Sequence, residues 1–565
     1  MRFRLACLTL SIVMLPVAGC SGEERRPAAQ KSPSPVPSQS GDPAGRAAAI
    51  AAKLGDKDLV GQVLMPFAYG NGATKVSKAS AVANRKAFGV DTPAAAVRRH
   101  RLGGMILVRQ SADPTDATNP TSNVESPAQV RKLTAGLQRA AAELPAAHQA
   151  GESVPLLVGT DQEHGVVTRI RDGMTLLPTA MGFGAAADPD LTERAWGVAG
   201  AELAAVGVNV DFAPDADVIG PAGNVVIGSR SHGSDPKAVG EQVSAAVRGL
   251  QGAGVAATLK HFPGHGHTTT DSHEALPVLA YGRKALKRDD LPPFQAGSAA
   301  GAWLVMSGHL DVRAIDPGVT ATFSRKVLVD LLRGQVGFDG VVVSDALNMA
   351  PARAFSTEEA AVRALRAGND LLLMPPDVRA AQRGLLAALT SGKLSRERLV
   401  EAVTRVLTLK LRLAAFDRPA LSTVDSAAHH EVAGAAAAGG VTVLRGRCDG
   451  ALVSGPVRVT GGADQQRAWL SSALEGHGMT VGSGGARIHL TGYGDGPGDL
   501  ARDAAVTVGM DAPYLLGRVK SPTVLAAFGA NRFSMRAAAA ALAGKATAPG
   551  RSPVPIQGLP RTACR

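Results

Sequence analysis

The chain has 565 residues, 60 of them Lys or Arg, and a formal net charge of +12. No basic stretch is interleaved with aromatic residues, which make up only 4% of the chain, so no nucleic-acid module is recognisable. The positive charge is scattered along helical segments, which is typical of solvated helix faces. It favours only a weak, salt-dependent attraction to anionic polymers or lipid headgroups.

The first twenty residues have the pattern of an export signal. Met1–Arg4 is a basic start, and Leu5–Ala18 is an apolar run too short to remain as a membrane-spanning helix. Small residues precede Cys20, which predicts a signal peptide over residues 1–19. This end resembles a lipoprotein lipobox, so we expect Cys20 to be lipidated after cleavage. An ordinary secretory signal cut near Cys20 is the alternative.

Residues 20–45 are rich in Pro, Ser, Gly and charged residues. Such a segment cannot bury a core and is predicted to be a tether. We therefore expect the folded part outside the bacterial cytoplasmic membrane, anchored to its outer face by lipid on Cys20, or secreted if Cys20 is not lipidated.

Short apolar runs of β type recur along residues 46–416 and alternate with Ala-rich stretches of helical spacing. Examples of the helical stretches are Leu191–Val206, Pro236–Ala253 and Thr357–Ala367. Strand, helix and strand at this cadence predict right-handed βαβ units and a parallel sheet. Eight runs fit a closed (β/α)8 barrel of the TIM type better than an open sheet. The runs are Val60–Phe67, Gly104–Val108, Leu156–Thr160, Val208–Phe212, Ala256–Leu259, Trp303–Met306, Val341–Val343 and Asp370–Met374.

Polar residues follow several of these runs, as they do at the active-site face of a β/α barrel. They are Asp161, Glu163, Asp215, Asp217, Lys260, His261, His309 and Asp345. A lone Asp after a strand is more often the N-cap of the next helix. The repetition of the arrangement at other strand ends favours a catalytic role for Asp345.

The segment Lys260–Gly266 and the following Asp271, Ser272 and His273 form the densest polar loop of the chain. Two Gly and a Pro prevent Lys260–Gly266 from continuing as helix or strand. Asp271 can hold the imidazole of His273 in one tautomer and raise its basicity, as a general acid/base requires.

Two other interpretations of this loop remain open. It can be a solvated surface loop. It can also be a zinc site built from His261, His265, His267 and His273, although the Gly and Pro between them do not fix the directions of the imidazoles.

A second domain is predicted over residues 428–565. After the amphipathic helix Arg405–Leu411, the segment Gly440–Arg445 begins a new alternation of strands and Ala-rich helices, long enough for an independent domain. Two Cys of an exported chain more often pair than stay free, so we expect a disulfide between Cys448 and Cys564. Two unrelated free thiols are the alternative.

Four polar segments share their order and spacing with a known family over most of residues 50–415. They are Asp161–Gly165 with Arg169, Ile227–Ser231, Lys260–His273 and Ser344–Met349. In these segments the chain resembles glycoside hydrolase family 3, and within it the β-N-acetylhexosaminidase branch. The resemblance implies an α/β fold, a (β/α)8 barrel followed by a smaller α/β sandwich domain. No catalytic constellation appears in the sequence of this second domain, so we expect it to have a packing or substrate-rim role.

The resemblance also implies the roles of single residues. Asp345 is expected to be the nucleophile, His273 the general acid/base, and Asp271 the group that orients and charges His273. The residues expected to line the innermost sugar subsite are Asp161, Arg169, Arg230, Lys260 and His261. No cofactor and no metal are implied.

Three residues depart from the family pattern. His164 stands where Gly is usual, His232 where an aromatic residue is common, and Ala346 where a second acid often follows the nucleophile. None of them removes a catalytic group, but we expect them to change the shape of the subsite. Ala346 also argues against the β-glucosidase branch, which typically places Trp after the nucleophile.

The expected function is that of a retaining exo-β-N-acetylhexosaminidase that releases terminal β-linked N-acetylglucosamine from cell-wall or chitin-derived oligosaccharides. The alternatives are a non-catalytic lipoprotein that binds cell-wall sugar, a β-glucosidase of the same family, and a metal-dependent hydrolase if the His cluster binds zinc. Expected partners are the oligosaccharide and, through Cys20, the membrane. Phosphate in place of water as the acceptor remains open.

Overall fold

A computed structural model describes residues 42–109, 123–151, 154–220, 224, 226–272 and 274–564. The predicted signal peptide, Cys20 and most of the predicted tether lie outside these residues. The first helix, Pro43–Lys53, begins within the range predicted as tether. The carboxylate of Asp42 accepts hydrogen bonds from two backbone N–H groups of the first turn, and Pro43 occupies its first position, which together start the helix here.

The larger domain contains eight parallel strands, and each of them lies within or overlaps one of the eight apolar runs. We number them β1 to β8 in chain order: Leu64–Met65, Gly104–Ile106, Leu157–Thr160, Val210–Asp211, Ala256–Phe262, Leu304–Ser307, Val341–Ser344 and Leu372–Leu373. Strands β2 to β7 pair in sequence order in one sheet, and β1 pairs with β8.

Two contacts close the ring of strands. Val343 next to the end of β7 forms a parallel bridge with Leu371 just before β8. On the other side, the N–H of Ile106 in β2 donates to the carbonyl of Pro66, directly after β1, at 3.0 Å. The predicted (β/α)8 barrel is therefore confirmed.

Side chains alternate between the barrel interior and the layer under the helices, as the two-residue period of a strand requires. Val341 and Val343 of β7 belong to the interior apolar cluster, whereas Val342 packs in the outer core. Leu157 and Val158 of β3 divide in the same way.

The first run, Val60–Phe67, was predicted to be strand throughout, and this is wrong for its beginning. Val60–Gln62 is the end of the helix Asp56–Gln62, and the strand is confined to Leu64–Met65. A short buried helical turn and a buried strand are equally apolar, so periodicity alone does not separate them.

The helices that surround the barrel begin and end close to the predicted stretches, for example Pro189–Ala205, Pro236–Gly252 and Thr357–Ala367. The others are Lys78–Phe88, Pro93–His100, Pro127–Ala141, Pro145–Ala150, Ala180–Ala186, Arg283–Asp289, Leu291–Ala299, the π-helix Lys326–Val336, Val378–Thr390 and Arg396–Leu413. Short strand pairs join Gln162–His164 with Val167–Thr168 and Val278–Leu279 with Asp311–Val312. Among the described residues no helix is both long and apolar enough to cross a bilayer.

A five-stranded sheet follows the barrel. Its strands, β9 to β13, are Thr442–Arg445, Val457–Gly461, Ala486–Thr491, Val506–Gly509 and Thr523–Ala526. The spatial order is β9-β13-β12-β11-β10, parallel except for the β9-β13 pair. Three helices belong to the same part of the chain as this sheet: Ala427–Gly440, Asp464–Gly476 and Arg532–Leu542.

The structure joins Cys448 to Cys564 in a disulfide with a Cα–Cα distance of 5.3 Å across 116 residues of sequence. Closing a loop of this length stabilises a chain by at most about 4–5 kcal/mol in the chain-entropy estimate. We expect the Cys448→Ser/Cys564→Ser variant to lose thermal stability in calorimetry while its barrel chemistry changes little. Non-reducing peptide mapping is the direct check, and recovery of both Cys as free alkylated thiols would contradict the pairing.

Candidate active site

Every second side chain of a barrel strand points into the barrel, and this alternation continues for the first residues after the carboxyl end of the strand. Val343 faces the barrel interior, and Asp345 lies two residues further along the same chain. Leu157 of β3 also faces inward, and Asp161 shares its parity just after the strand. Both carboxylates consequently reach the mouth of the barrel, where a TIM barrel has its active site.

A cavity of about 640 Å³ lies at this mouth, with apolar side chains of the barrel interior in its lining. It brings together six of the eight residues predicted to be catalytic or substrate-binding: Asp161, Arg169, Arg230, Lys260, His261 and Asp345. Asp271 is not part of the lining, although its neighbour Ser272 is. His273 lies outside the described residues.

The carboxylate of Glu163 is the central anion of this cavity, because it contacts two of the cations in the lining. Arg230 donates to both of its oxygens, at 2.7 and 2.9 Å, and the ammonium of Lys260 lies 2.5 Å from Oε1. Burial alone would raise the pKa of Glu163, but the two cations hold it well below its usual range. Glu163 is therefore an anion that fixes two cations from different strand ends.

Asp161 shares these cations from the cavity side. Nη2 of Arg169 donates to one of its oxygens at 3.2 Å, and Nζ of Lys260 lies 3.5 Å from the other. The side chain of Asp161 keeps 18% of its surface exposed, against 3% for Glu163. Asp161 can therefore accept hydrogen bonds from a ligand in the cavity, whereas Glu163 is a structural anion.

His261 is oriented by a second buried carboxylate. Its Nδ1 lies 2.8 Å from Oδ2 of Asp217, and the backbone N–H groups of His261 and His265 both donate to Oδ1. Burial would raise the pKa of Asp217, but the neighbouring His261 lowers it below the ordinary value. Nε2 of His261 lies 3.4 Å from Nη2 of Arg230.

Asp215, Asp217 and His261 are the one group of described residues close enough together to hold a metal ion, with ligand atoms within 4.8 Å of one another. The guanidinium of Arg230 already lies beside one of these carboxylates, with its Nη2 3.8 Å from Oδ2 of Asp215. Burial and the charge of Asp217 raise the pKa of Asp215 well above its ordinary value. Asp217 is also paired with Nδ1 of His261 at 2.8 Å, so both carboxylates already lie beside protein partners.

The described His of the loop do not gather into a zinc site. Nδ1 of His267 pairs with Asp290 at 2.8 Å, and Asp290 also accepts a hydrogen bond from the hydroxyl of Tyr281. Nδ1 of His265 is bonded to the hydroxyl of Thr268 at 2.7 Å. Each imidazole thus has its own partner, and the hydrogen bonds anchor the loop.

The loop of Asp345 is fixed by backbone contacts. Its N–H donates to the carbonyl of Ser307 in β6 at 3.0 Å, and one carboxylate oxygen accepts from the N–H of Ala346 at 2.7 Å. Nε2 of His309 lies 3.0 Å from the carbonyl of Ala346, and its Nδ1 is bonded to Thr322. Asp345 is 9% exposed, so its carboxylate is held at the cavity surface with little freedom.

Two of the three departures from the family pattern do not shape the subsite as expected. The ring of His164 packs edge-on against Trp196 at 5.6 Å and accepts a hydrogen bond from the N–H of Leu177 at 3.2 Å. His232 is also buried away from the cavity, and burial lowers the pKa of both imidazoles to about 4. Only Ala346 lines the cavity.

The sequence did not reveal Glu163 as the central anion of this cavity, nor the roles of Asp215, Asp217 and Asp211. Burial raises the pKa of Asp211 to about 8, and this carboxyl accepts from the N–H of Gln162 at 2.9 Å. The alternation Asp161-Gln162-Glu163 was the available signal, because it places two carboxylates on one side of the chain.

Glu163→Gln removes a buried charge and leaves Arg230 and Lys260 without their shared partner. We expect a loss of about 3–5 kcal/mol in the free energy of unfolding, together with a raised KM. The matched control is Glu193→Gln, because Glu193 pairs with Arg248 at 2.6 Å on the surface. That exposed pair should be worth less than about 1 kcal/mol. Equal losses in the two variants, measured by urea unfolding, would contradict the role of Glu163.

Known proteins similar to this chain point to one family. Residues 81–409 match the family model "Glycosyl hydrolase family 3 N terminal domain". The chain is 33% identical to Beta-hexosaminidase A of Pseudoalteromonas piscicida over 344 residues, which cover 56% of this chain and 54% of that protein. It is 42% identical to Beta-hexosaminidase of Stenotrophomonas maltophilia (strain K279a) over 240 residues, 41% of this chain and 70% of that one. The chain thus spans about half the length of the first relative.

Among solved structures, the chain is similar to a glycoside hydrolase family 3 beta-N-acetylglucosaminidase from Paenibacillus sp. str. FPU-7. The TM-score is 0.77 at 32% identity, and the match covers 89% of this chain and 99% of the other. A beta-glucoside phosphorylase, at 21% identity and a TM-score of 0.76, shares the fold. The matched family model spans more than half of the residues and includes every strand end that lines the cavity, so the chain belongs to glycosyl hydrolase family 3.

Proposed function

We propose that this protein is a retaining exo-β-N-acetylhexosaminidase that releases terminal β-linked N-acetylglucosamine from cell-wall or chitin-derived oligosaccharides. One observation carries the proposal: Asp345 lines the same cavity as the cationic and carboxylate cluster around Glu163. Relatives named beta-hexosaminidase and the similar beta-N-acetylglucosaminidase structure support the choice of sugar.

In the proposed reaction, Asp345 attacks the anomeric carbon of the terminal sugar and forms a covalent glycosyl-enzyme. His273, oriented by Asp271, protonates the leaving oxygen and then takes a proton from the water that releases the sugar. Two successive displacements retain the configuration at the anomeric carbon. Most glycosidases use two carboxylates for these tasks, so a His–Asp pair in the acid/base role is an exception to the common pattern.

The cavity suits the end of a sugar chain. Its volume lies in the range of small-ligand sites, and the packed barrel interior closes it from below. Asp161 accepts from sugar hydroxyls, while Arg169 and Lys260 donate. A pocket closed at one end receives a terminal residue, which supports exo action.

The rim of the cavity is cationic and favours an anionic leaving fragment. Arg109, Arg169, Arg171 and Arg353 all belong to the lining. Carboxylate-bearing cell-wall fragments meet this rim better than neutral chitin fragments do.

One assay separates the enzymatic alternatives. Release of nitrophenol from the β-N-acetylglucosaminide, and not from the β-glucoside, supports the proposal and argues against a β-glucosidase. Turnover that survives a chelator argues against a metal-dependent hydrolase, and a protein that binds sugar without turnover would be the non-catalytic alternative. Product analysis with and without phosphate distinguishes hydrolysis from phosphorolysis.

Asp345→Ala should lower kcat by several orders of magnitude, because it removes the carboxylate that forms the glycosyl-enzyme in the proposed reaction, while sugar binding and folding remain largely intact. Mass spectrometry after treatment with a mechanism-based fluorosugar should locate the label on Asp345. A label on any other carboxylate would remove Asp345 from the nucleophile role.

His273→Ala should slow substrates with poor leaving groups far more than activated aryl glycosides, because the latter need little protonation. Asp271→Ala should show the same pattern more mildly, since it acts through the imidazole. The comparison requires kcat/KM for nitrophenyl and methyl or sugar glycosides. Equal losses on both kinds of substrate would mean that His273 has another role.

We also propose that the protein is a lipoprotein, anchored through Cys20 outside the cytoplasmic membrane. The pattern of residues 1–20 supports this. In a bacterial host, the wild type should incorporate a clickable fatty acid and sediment with membranes. Cys20→Ala should lose the label, and labelling that persists in this variant would contradict the proposal.

A further inference from the structure

The turn that carries Arg230 contacts the C-terminal sheet domain. Residues 226–231 follow β4, and Ile227 and Arg230 both line the cavity. Ser229 lies between them on the 3₁₀ turn Gly228–Arg230. The hydroxyl of Ser229 donates a hydrogen bond to Oδ1 of Asp511, which lies two residues after the end of β12.

Ser229 is buried at this hydrogen bond, and Asp511 is partly buried. Ser229 is 2% exposed, and burial raises the pKa of Asp511 above its ordinary value, while the hydrogen bond from Ser229 lowers it. A partly buried carboxyl that loses such a partner keeps part of its desolvation cost, so the contact stabilises the position of the turn.

An apolar contact holds the same turn. Ile227 belongs to a buried cluster that also contains Leu516 and Val554 of the C-terminal domain. Further along the chain, the N–H of Ser234 donates to the carbonyl of Pro553 at 3.2 Å. The backbone on both sides of Arg230 is thus fixed by the C-terminal domain.

Arg230 itself is positioned from two directions. Glu163 holds the guanidinium from the barrel side, whereas the turn that bears its Cα is held by Asp511 and the apolar cluster. A guanidinium that makes a bidentate pair tolerates little displacement of its backbone. A shift of the turn would also move Nη2 of Arg230 relative to Nε2 of His261, now 3.4 Å away.

We propose that Asp511 is a positioning residue of the sugar subsite: through Ser229 it sets the place of Arg230, and so makes the C-terminal domain part of the substrate-binding machinery. This inference rests on the proposed function, because it assumes that Arg230 lines the subsite of the sugar that is released.

The test compares Asp511→Ala, Asp511→Asn, Ser229→Ala and the double variant Asp511→Ala/Ser229→Ala. The control is Asp503→Ala, which removes an exposed carboxylate paired with Arg487 and Arg458 on the same domain. For each full-length protein we would measure kcat and KM on the nitrophenyl β-N-acetylglucosaminide, the inhibition constant of free N-acetylglucosamine, and the thermal midpoint.

We expect Asp511→Ala and Ser229→Ala each to raise KM and the inhibition constant about tenfold, as the loss of one hydrogen bond to a charged group implies, with a smaller change in kcat. The double variant should be no worse than either single one, because both remove the same contact. Asp511→Asn keeps an acceptor oxygen and should restore most of the binding. Asp503→Ala should match the wild type.

Three results would overturn the inference. The first is an Asp511→Ala variant with unchanged KM and full activity, and the second is a double variant whose KM rises by the product of the two single effects. The third is that KM and kcat worsen together in proportion to the drop in thermal midpoint. The proposed function fails in a different way. In that case the wild type itself does not turn over the glycoside. Calorimetric measurement of N-acetylglucosamine binding to the same variants then still decides whether Asp511 positions the subsite.

Discussion

The buried carboxylate of Glu163 ties three strand ends of the barrel together. It lies after β3, its partner Arg230 follows β4, and Lys260 belongs to β5. Each of these charges would be costly to bury alone, and together they satisfy one another. The charged lining of the cavity is therefore a set of cations and carboxylates whose positions are mutually dependent.

This arrangement gives a cavity whose polar groups are fixed before any sugar enters. Asp161 and Arg169 extend the charge network toward the opening, and Asp217 holds the ring of His261. Because the side chains are already oriented, binding of a ligand does not have to order them, and the loop of Asp345 is similarly held from β6. A rigid barrel mouth with preset donors and acceptors is what a glycosidase needs to stabilise a charged transition state.

The C-terminal domain contacts barrel residues beside the cavity and fixes their positions. It shares an apolar cluster with barrel residues such as Ile227, and the carbonyl of Phe528 accepts from the N–H of Thr179 at 2.9 Å. The sequence showed no catalytic constellation in this domain, which is consistent with a part played through contacts rather than chemistry. Its predicted boundaries, 428 and 565, stay a prediction, although the helix Ala427–Gly440 begins beside the first of them.

The sequence by itself determined the eight-stranded barrel, because apolar runs and helical stretches alternate along the chain, and it located Asp345 and Asp161 just after strands. It was wrong about the start of the segment Lys260–Gly266, which was expected to be a loop, because β5 continues through Lys260 to Phe262. It did not determine that Val60–Gln62 is helical, since short buried segments carry no period of their own. Only the tertiary structure decided that Glu163 pairs with Arg230, 67 residues away, and that Asp511 meets Ser229 across 282 residues. Such pairs form because folding brings distant chain segments into one dry space, and local spacing carries no record of that geometry.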